Sequence, residues 1–133
     1  MTARRAEIQR NTNETQLRVV VDLDGSGAFS GKVGVPFLEH MLDLLARHAG
    51  IQIEIEGKGD LHIDAHHTVE DLGICLGQAF REALGDKRGI ARFGFAAVPM
   101  EETLTRCALD ICGRPYLHYQ VETSKEFLGS NFD

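Results

Sequence analysis

His66-His67-Thr68-Val69-Glu70-Asp71 concentrates two imidazoles and two carboxylates in six consecutive positions, and a helical apolar pattern runs on from it. That density reads as a metal site. On a helix, Glu70 lies four residues from His66 and three from His67, so its carboxylate shares a face with either imidazole. The two imidazoles diverge by about 100° around the axis, which suits two ions, or two sides of an interface, better than one ion. The plainer account is a solvated helix start in which Asp64 or Thr68 caps the amides while Glu70 and Asp71 favour the helix dipole.

His40 falls in a second helical segment beside Glu39 and Asp43. Alone, such a histidine is more often structural. With His66, His67 and Glu70 it makes four nitrogen and oxygen donors of the kind a divalent ion takes. No thiolate joins them, so an open site with room for water or substrate is expected rather than a closed structural zinc site. Donor type does not choose among zinc, iron, nickel, manganese and magnesium. Arg92 and Arg114 offer planar forks suited to phosphate, although Arg92 also fits a solvated basic turn and Arg114 a turn before Pro115. Glu14, close to Arg10, is either a general base or half of a weak surface ion pair. His48, His62 and His118 show no comparable clustering and read as structural.

The elements that must position these groups follow from periodicity. Residues 17–23 alternate as a strand, which the glycines at 25 and 27 end in a hairpin-like turn. Pro36 starts a helix that runs to Ala49, with Gly50 as its stop. Residues 51–55 alternate again, 57–60 turn the chain and 61–63 return, which predicts a hairpin. The histidine motif then opens a second helix with Leu72, Cys75, Leu76, Ala79, Phe80 and Ala83 on its apolar face, ending near Gly85. Residues 91–98, 103–111 and 116–122 are further strand candidates.

At 133 residues with 43% hydrophobic and 26% charged content, one globular domain is expected. Fourteen basic against twenty acidic residues leave a formal charge of −6, which argues against nucleic-acid or anionic-membrane partners while leaving a small phosphate substrate open. No apolar run approaches the roughly 18 residues of a spanning helix, and the first ten residues lack a signal-peptide core, so a cytoplasmic protein is expected. Cys75, Cys107 and Cys112 are odd in number and not in Cys-x-x-Cys spacing, which makes them buried free thiols in expectation.

An internal repeat is also legible. Glu14-Thr15-x-x-Arg18-x-x-x-Asp22-Leu23-x-Gly25 recurs as Glu102-Thr103-x-x-Arg106-x-x-x-Asp110-Ile111-x-Gly113, at a constant offset of 88 residues. Strand-like patterns do recur by chance, but here charged positions keep register. A counterpart of His66 would fall near position 154, past the last residue, so a chain stopping partway through its second half is expected.

The chain resembles the imidazoleglycerol-phosphate dehydratases over essentially its whole length. The resemblance rests on five runs: Arg10 to Thr15 (RNTNET), Pro36 to Asp43 (PFLEHMLD), Gly59 to Asp71 (GDLHIDAHHTVED), Gly85 to Gly94 (GDKRGIARFG) and Gly113 to Leu117 (GRPYL). It implies an α+β fold, two layers of sheet and helix built by duplication (ribosomal S5 domain 2-like) with the second half incomplete. As a domain plan it implies one domain over 1–133, with 1–86 the first repeat and 87–133 part of the second. It implies a lyase of histidine biosynthesis that dehydrates imidazole glycerol phosphate. It also implies manganese, two ions per complete site, on His40, His66, His67 and Glu70, with phosphate near Arg92 and Arg114 and Glu14 acting on substrate. Identical subunits are implied, trimers built into a 24-mer, with sites between subunits.

Two departures qualify that pattern. The family continues by about a third of its length past residue 133, through a second His-His-x-x-Glu helix and further phosphate contacts, so this chain by itself is expected to be inactive. Leu44 stands where the family often has a polar residue. The competing expectation is a non-catalytic metal-binding or assembly module. A dinuclear hydrolase is disfavoured, since no bridging aspartate pattern is present.

Overall fold

The computed structural model describes residues 3–121, which form two compact units, 3–85 and 86–121. The first opens with strands β1 (Arg5–Asn11) and β2 (Thr15–Asp22), then β3 (Phe29–Lys32), helix α1 (Pro36–Ala49), strand β4 (Gln52–Gly59) and helix α2 (His66–Leu84). The sheet order is β1-β2-β4-β3, antiparallel between β1 and β2 and between β2 and β4, and parallel between β3 and β4. β3, α1 and β4 therefore make a crossover unit, since a parallel pair cannot be joined by a tight turn.

Alternation decides which face is covered. Leu17, Val19 and Val21 of β2 and Ile53 and Ile55 of β4 are buried in one row of side chains, paired Val19 with Ile55 and Val21 with Ile53. α1 packs there over β3 and β4, and α2 over β1 and β2. Leu42 and Ala46 of α1, with Leu72, Cys75, Ala79 and Ala83 of α2, complete one core. Pro36 opens α1, and Glu39 reaches back so that its Oε1 accepts the backbone N–H groups of Val33 and Gly34 at 2.7 and 2.8 Å. Gly50 stops α1 in the left-handed conformation. The result is a two-layer α+β unit with both helices on one face.

The opposite face carries charge. Arg18 of β2 forks onto Glu7 of β1, with Nη2 2.7 Å from Oε2, and reaches Glu56 of β4 at 3.4 Å. Hydrogen bonds from Arg18 and then from the Gln9 amide hold the Glu7 carboxyl down at about 2, against an ordinary 4.5. A carboxyl depressed by folding contributes stability that is whole above its unfolded value and lost as pH falls through the folded one. Denaturant midpoints should therefore fall between pH 4.5 and 2 less steeply in Glu7→Gln than in the parent. The difference should be small, because the pair is solvated.

The second unit is a hairpin of β5 (Phe93–Met100) and β6 (Thr103–Asp110). Its register reproduces that of β1 and β2 at the offset read in the sequence: Arg5 pairs with Asp22 and Phe93 with Asp110, Asn11 with Gln16 and Pro99 with Leu104. One flanking bond repeats too, Leu23 N–H to the Arg4 carbonyl and Ile111 N–H to the Arg92 carbonyl, each 2.9 Å. The fold is built by duplication of this hairpin.

Four expectations need correction. Residues 51–63 are not a hairpin: β4 pairs with β2 and β3, and the Ile63 N–H returns to the Asp60 carbonyl at 2.8 Å in a turn. The turn after β2 does not pair β3 back onto it; β3 lies on the far side of β4. Residues 116–121 are not a strand. Cys75 is buried as expected, but Cys107 is exposed and Cys112 only half-buried. β1 and β3 went unread, because Ala6 and Ile8 among charged neighbours and the short Phe29-Ser30-Gly31-Lys32 give little apolar alternation.

Candidate functional site

α2 begins at His66 with no side-chain cap on Ala65, and its first free amides are met partly by Asp64, whose Oδ1 accepts the His66 N–H at 2.8 Å. Both histidines therefore stand on the opening turn. Their rings lie edge to face, 5.6 Å apart at 72°. His66 Nε2 is 4.0 Å from Glu70 Oε2, the one-turn pairing expected from the spacing.

His67 is held differently. Its Nδ1 lies 2.8 Å from Oδ2 of Asp60, the residue that follows β4. Against a carboxylate that nitrogen carries the proton, which leaves Nε2 as the ring's lone-pair atom. The hydrogen bond to Asp60 raises the His67 imidazole above its ordinary range despite some desolvation, with Glu14 and Asp64 adding to it, and the same bond lowers Asp60. The other Asp60 oxygen, Oδ1, is buried without a hydrogen-bond partner among the described residues, as is Thr68 Oγ1. β4 and α2 meet closely at this point: a side chain on Gly59 would run into Thr68 Oγ1, so only glycine lets the strand end bring Asp60 under His67.

Asp71, one residue past Glu70, turns inward and is 6% exposed. Burial opposes its charge, but the Thr15 hydroxyl and the Arg10 guanidinium outweigh that and keep the carboxyl below its ordinary range. Arg10 Nε donates to Oδ1 at 2.7 Å and Thr15 Oγ1 donates to Oδ2. Glu14 stands exposed in the β1–β2 turn, within electrostatic reach of His67.

His66, His67 and Glu70 thus share the start of α2, with Glu14 nearby. His40 is exposed on α1, and no group of three or more His, Cys, Asp or Glu among the described residues gathers to hold an ion. In the second unit, Arg92 forks onto Asp110, Nε to Oδ1 at 2.6 Å and Nη2 to Oδ2 at 3.0 Å, and its guanidinium lies 4.8 Å from the Phe93 ring centre. Arg114 is exposed. Asp60 and the Asp71–Thr15 pair were not singled out from sequence. Neither has a local signal, since Asp60 lies in the turn before α2, outside the helix that carries His67, and Thr15 lies on β2, far in sequence from Asp71.

The donors fit a borderline divalent cation in kind: imidazole nitrogen and carboxylate oxygen, one imidazole already oriented by a carboxylate behind it, as metal-binding histidines commonly are. No helix among the described residues is long and apolar enough to cross a membrane.

The family model of imidazoleglycerol-phosphate dehydratase matches residues 33–133. The chain is 57% identical over 129 residues to the imidazoleglycerol-phosphate dehydratase of Herminiimonas arsenicoxydans, covering 97% of this chain and 65% of that protein. It is 58% identical over 129 residues to that of Methylococcus capsulatus, covering 97% of this chain and 66% of that protein. The crystal structure of the Staphylococcus aureus imidazoleglycerol-phosphate dehydratase superposes with a TM-score of 0.79 at 39% identity, covering 92% of this chain and 66% of that one. The chain spans just under two thirds of the length of these relatives.

Proposed function

The chain belongs to the imidazoleglycerol-phosphate dehydratase family, and from that premise we propose that its protein removes water from imidazole glycerol phosphate to give imidazole acetol phosphate, a step of histidine biosynthesis in the cytoplasm. The observation that carries the reading is the His67–Asp60 pair at the opening of α2. A carboxylate behind Nδ1 fixes the tautomer whose Nε2 serves as a ligand and raises its basicity. His40, His66, His67 and Glu70 would hold manganese, two ions per complete site. The bound metal would supply Lewis acidity toward the substrate imidazole, easing loss of hydroxide from the carbon attached to the ring.

Glu14 takes the role of base. The proton to be removed sits on the carbon next to the one that loses hydroxide, and a carboxylate beside the imidazole-binding face can accept it. The resulting enol returns a proton to carbon to give the ketone, so the net change is one water. Arg92 and Arg114 receive the phosphate; Asp110 takes the Nε and Nη2 edge of Arg92 and so orients its remaining N–H groups.

This reading takes the remaining donors from the second His-His-x-x-Glu helix that the family carries past residue 133, with sites completed between copies of a homo-oligomer, trimers assembled into a 24-mer. Residues 1–86 form the first repeat of a single domain and 87–133 part of the second.

The test is conversion of imidazole glycerol phosphate with manganese present and after chelation, by a chain extended to the full length of its relatives, as the parent and with Arg92→Lys or Arg114→Lys. Metal-dependent turnover is expected, with KM raised about tenfold or more in each lysine variant and thermal stability little changed, since an ammonium cannot reproduce a bidentate fork. Manganese binding with no turnover would favour the non-catalytic module instead.

A further inference from the structure

Asp71 is buried one residue beyond the exposed Glu70 and one helical turn from His67. Its hydrogen bonds run away from the helix into the turn that carries Glu14, and their directions can be assigned. The Asp71 carboxylate only accepts, so the Thr15 hydroxyl spends its single proton on Oδ2. The contact of 3.1 Å between the Thr12 and Thr15 hydroxyls then takes its proton from Thr12. That leaves the Thr12 oxygen to accept, and it receives the backbone N–H of Glu14 at 3.2 Å and of Thr15 at 2.9 Å. On the other side, Arg10 Nε donates to Oδ1, tying the end of β1 to the same carboxylate. One directed chain of hydrogen bonds therefore joins α2 to the backbone of Glu14, through side chains that bury a charge. Replacing such a buried pair by apolar groups often costs a fold nothing, so stability alone does not account for it.

We propose that Asp71 is a positioning residue: through Thr15 and Thr12 it holds Glu14 in fixed register with the helix turn bearing His67 and Glu70. The inference rests on Glu14 acting as the base, and its consequence is for reaction rather than binding. Proton removal requires the carboxylate to lie within hydrogen-bond reach of one carbon, whereas substrate affinity comes mainly from phosphate and imidazole contacts elsewhere. A base misplaced by about 1 Å costs on the order of 100-fold in rate.

Three variants test this. Thr15→Val removes the relay without changing side-chain shape, Asp71→Asn removes the charge that orders it, and Thr15→Ser keeps the hydroxyl. Turnover of imidazole glycerol phosphate should show kcat lowered about 10- to 100-fold in Thr15→Val and Asp71→Asn with KM changed less than about threefold, and kcat restored to within about threefold in Thr15→Ser. Amide hydrogen exchange in the substrate-free protein gives a readout that needs no activity: the Glu14 N–H should exchange about tenfold faster in Thr15→Val and as in the parent in Thr15→Ser. An unchanged Glu14 exchange rate in Thr15→Val, or equal loss of kcat in the valine and serine variants, overturns the proposal. Kinetics are read on a chain extended to the full length of its relatives: if that parent turns over no substrate, the proposed function fails while the exchange comparison still decides whether the relay holds Glu14. If Asp71→Asn does not fold, the valine and serine pair decides alone.

Discussion

In a chain extended to the full length of its relatives, His67→Ala should abolish dehydration and weaken manganese binding by well over the 10- to 100-fold expected for losing a group behind a ligand, because it removes the ligand atom itself. Asp60→Asn supplies the graded comparison. It keeps the ring and its Nε2 but replaces the carboxylate at 2.8 Å from Nδ1 with an amide, so manganese affinity should fall about 10- to 100-fold while the fold persists. The pH dependence has a definite sign. Asp60 raises the His67 imidazole above its ordinary range, so protons compete with the cation and affinity should decline as pH falls through that raised value. In Asp60→Asn the decline should begin at lower pH. Calorimetric titration at several pH values measures both effects. Equal affinity in the parent, His67→Ala and Asp60→Asn would return the motif to a solvated helix start.

Leu72→Ala should be among the most destabilising single substitutions in the chain. Among the buried positions of α2, Thr68, Asp71, Cys75, Ala79 and Ala83 are small or polar, and Leu72, fully buried, is the one large apolar side chain. Leu76 and Phe80 of the same helix pack against the core only partly buried, so Leu72 is the large side chain of α2 that burial holds fully. Truncation removes its transfer free energy and leaves a cavity that neighbours held by the sheet cannot close, for about 2–5 kcal/mol. Against a total of roughly 5–15 kcal/mol for a typical domain, that leaves a marginal protein. Chemical denaturation of parent and variant measures it. Leu72→Met, close in volume, should lose less than about 1.5 kcal/mol. The same substitution should weaken metal binding at the helix start indirectly, because α2 positions His66, His67 and Glu70 only while it is docked.

The 88-residue offset shows how far pattern alone reaches. Glu14, Arg18, Asp22 and Gly25 keep register with Glu102, Arg106, Asp110 and Gly113, and the two hairpins pair in the same register. Strand pairing conserves a period of two and a turn length, and both are written locally in the chain. The same locality explains α1 and α2, whose limits follow from Pro36, Gly50, Gly85 and apolar spacing. It also explains why the apparent hairpin at 51–63 misled: Gly57 and Gly59 look like turn residues, yet they lie within β4, where close approach of β2 and α2 leaves no room for side chains.

By itself, the sequence determined the two helices, the 88-residue repeat, the donor types at His66, His67 and Glu70, and the family. Each depends on residues within one or two turns of each other, or on a whole-chain pattern. Only the tertiary structure decided that Asp60 stands behind His67, and that Asp71 faces inward to Thr15 and Arg10 while Glu70 faces out. These are contacts between separate elements, 56 residues apart in the chain for Thr15 and Asp71. Their geometry comes from how the helices seat on the sheet, through the burial of Leu72, Ile53 and Val19, and no local spacing encodes it.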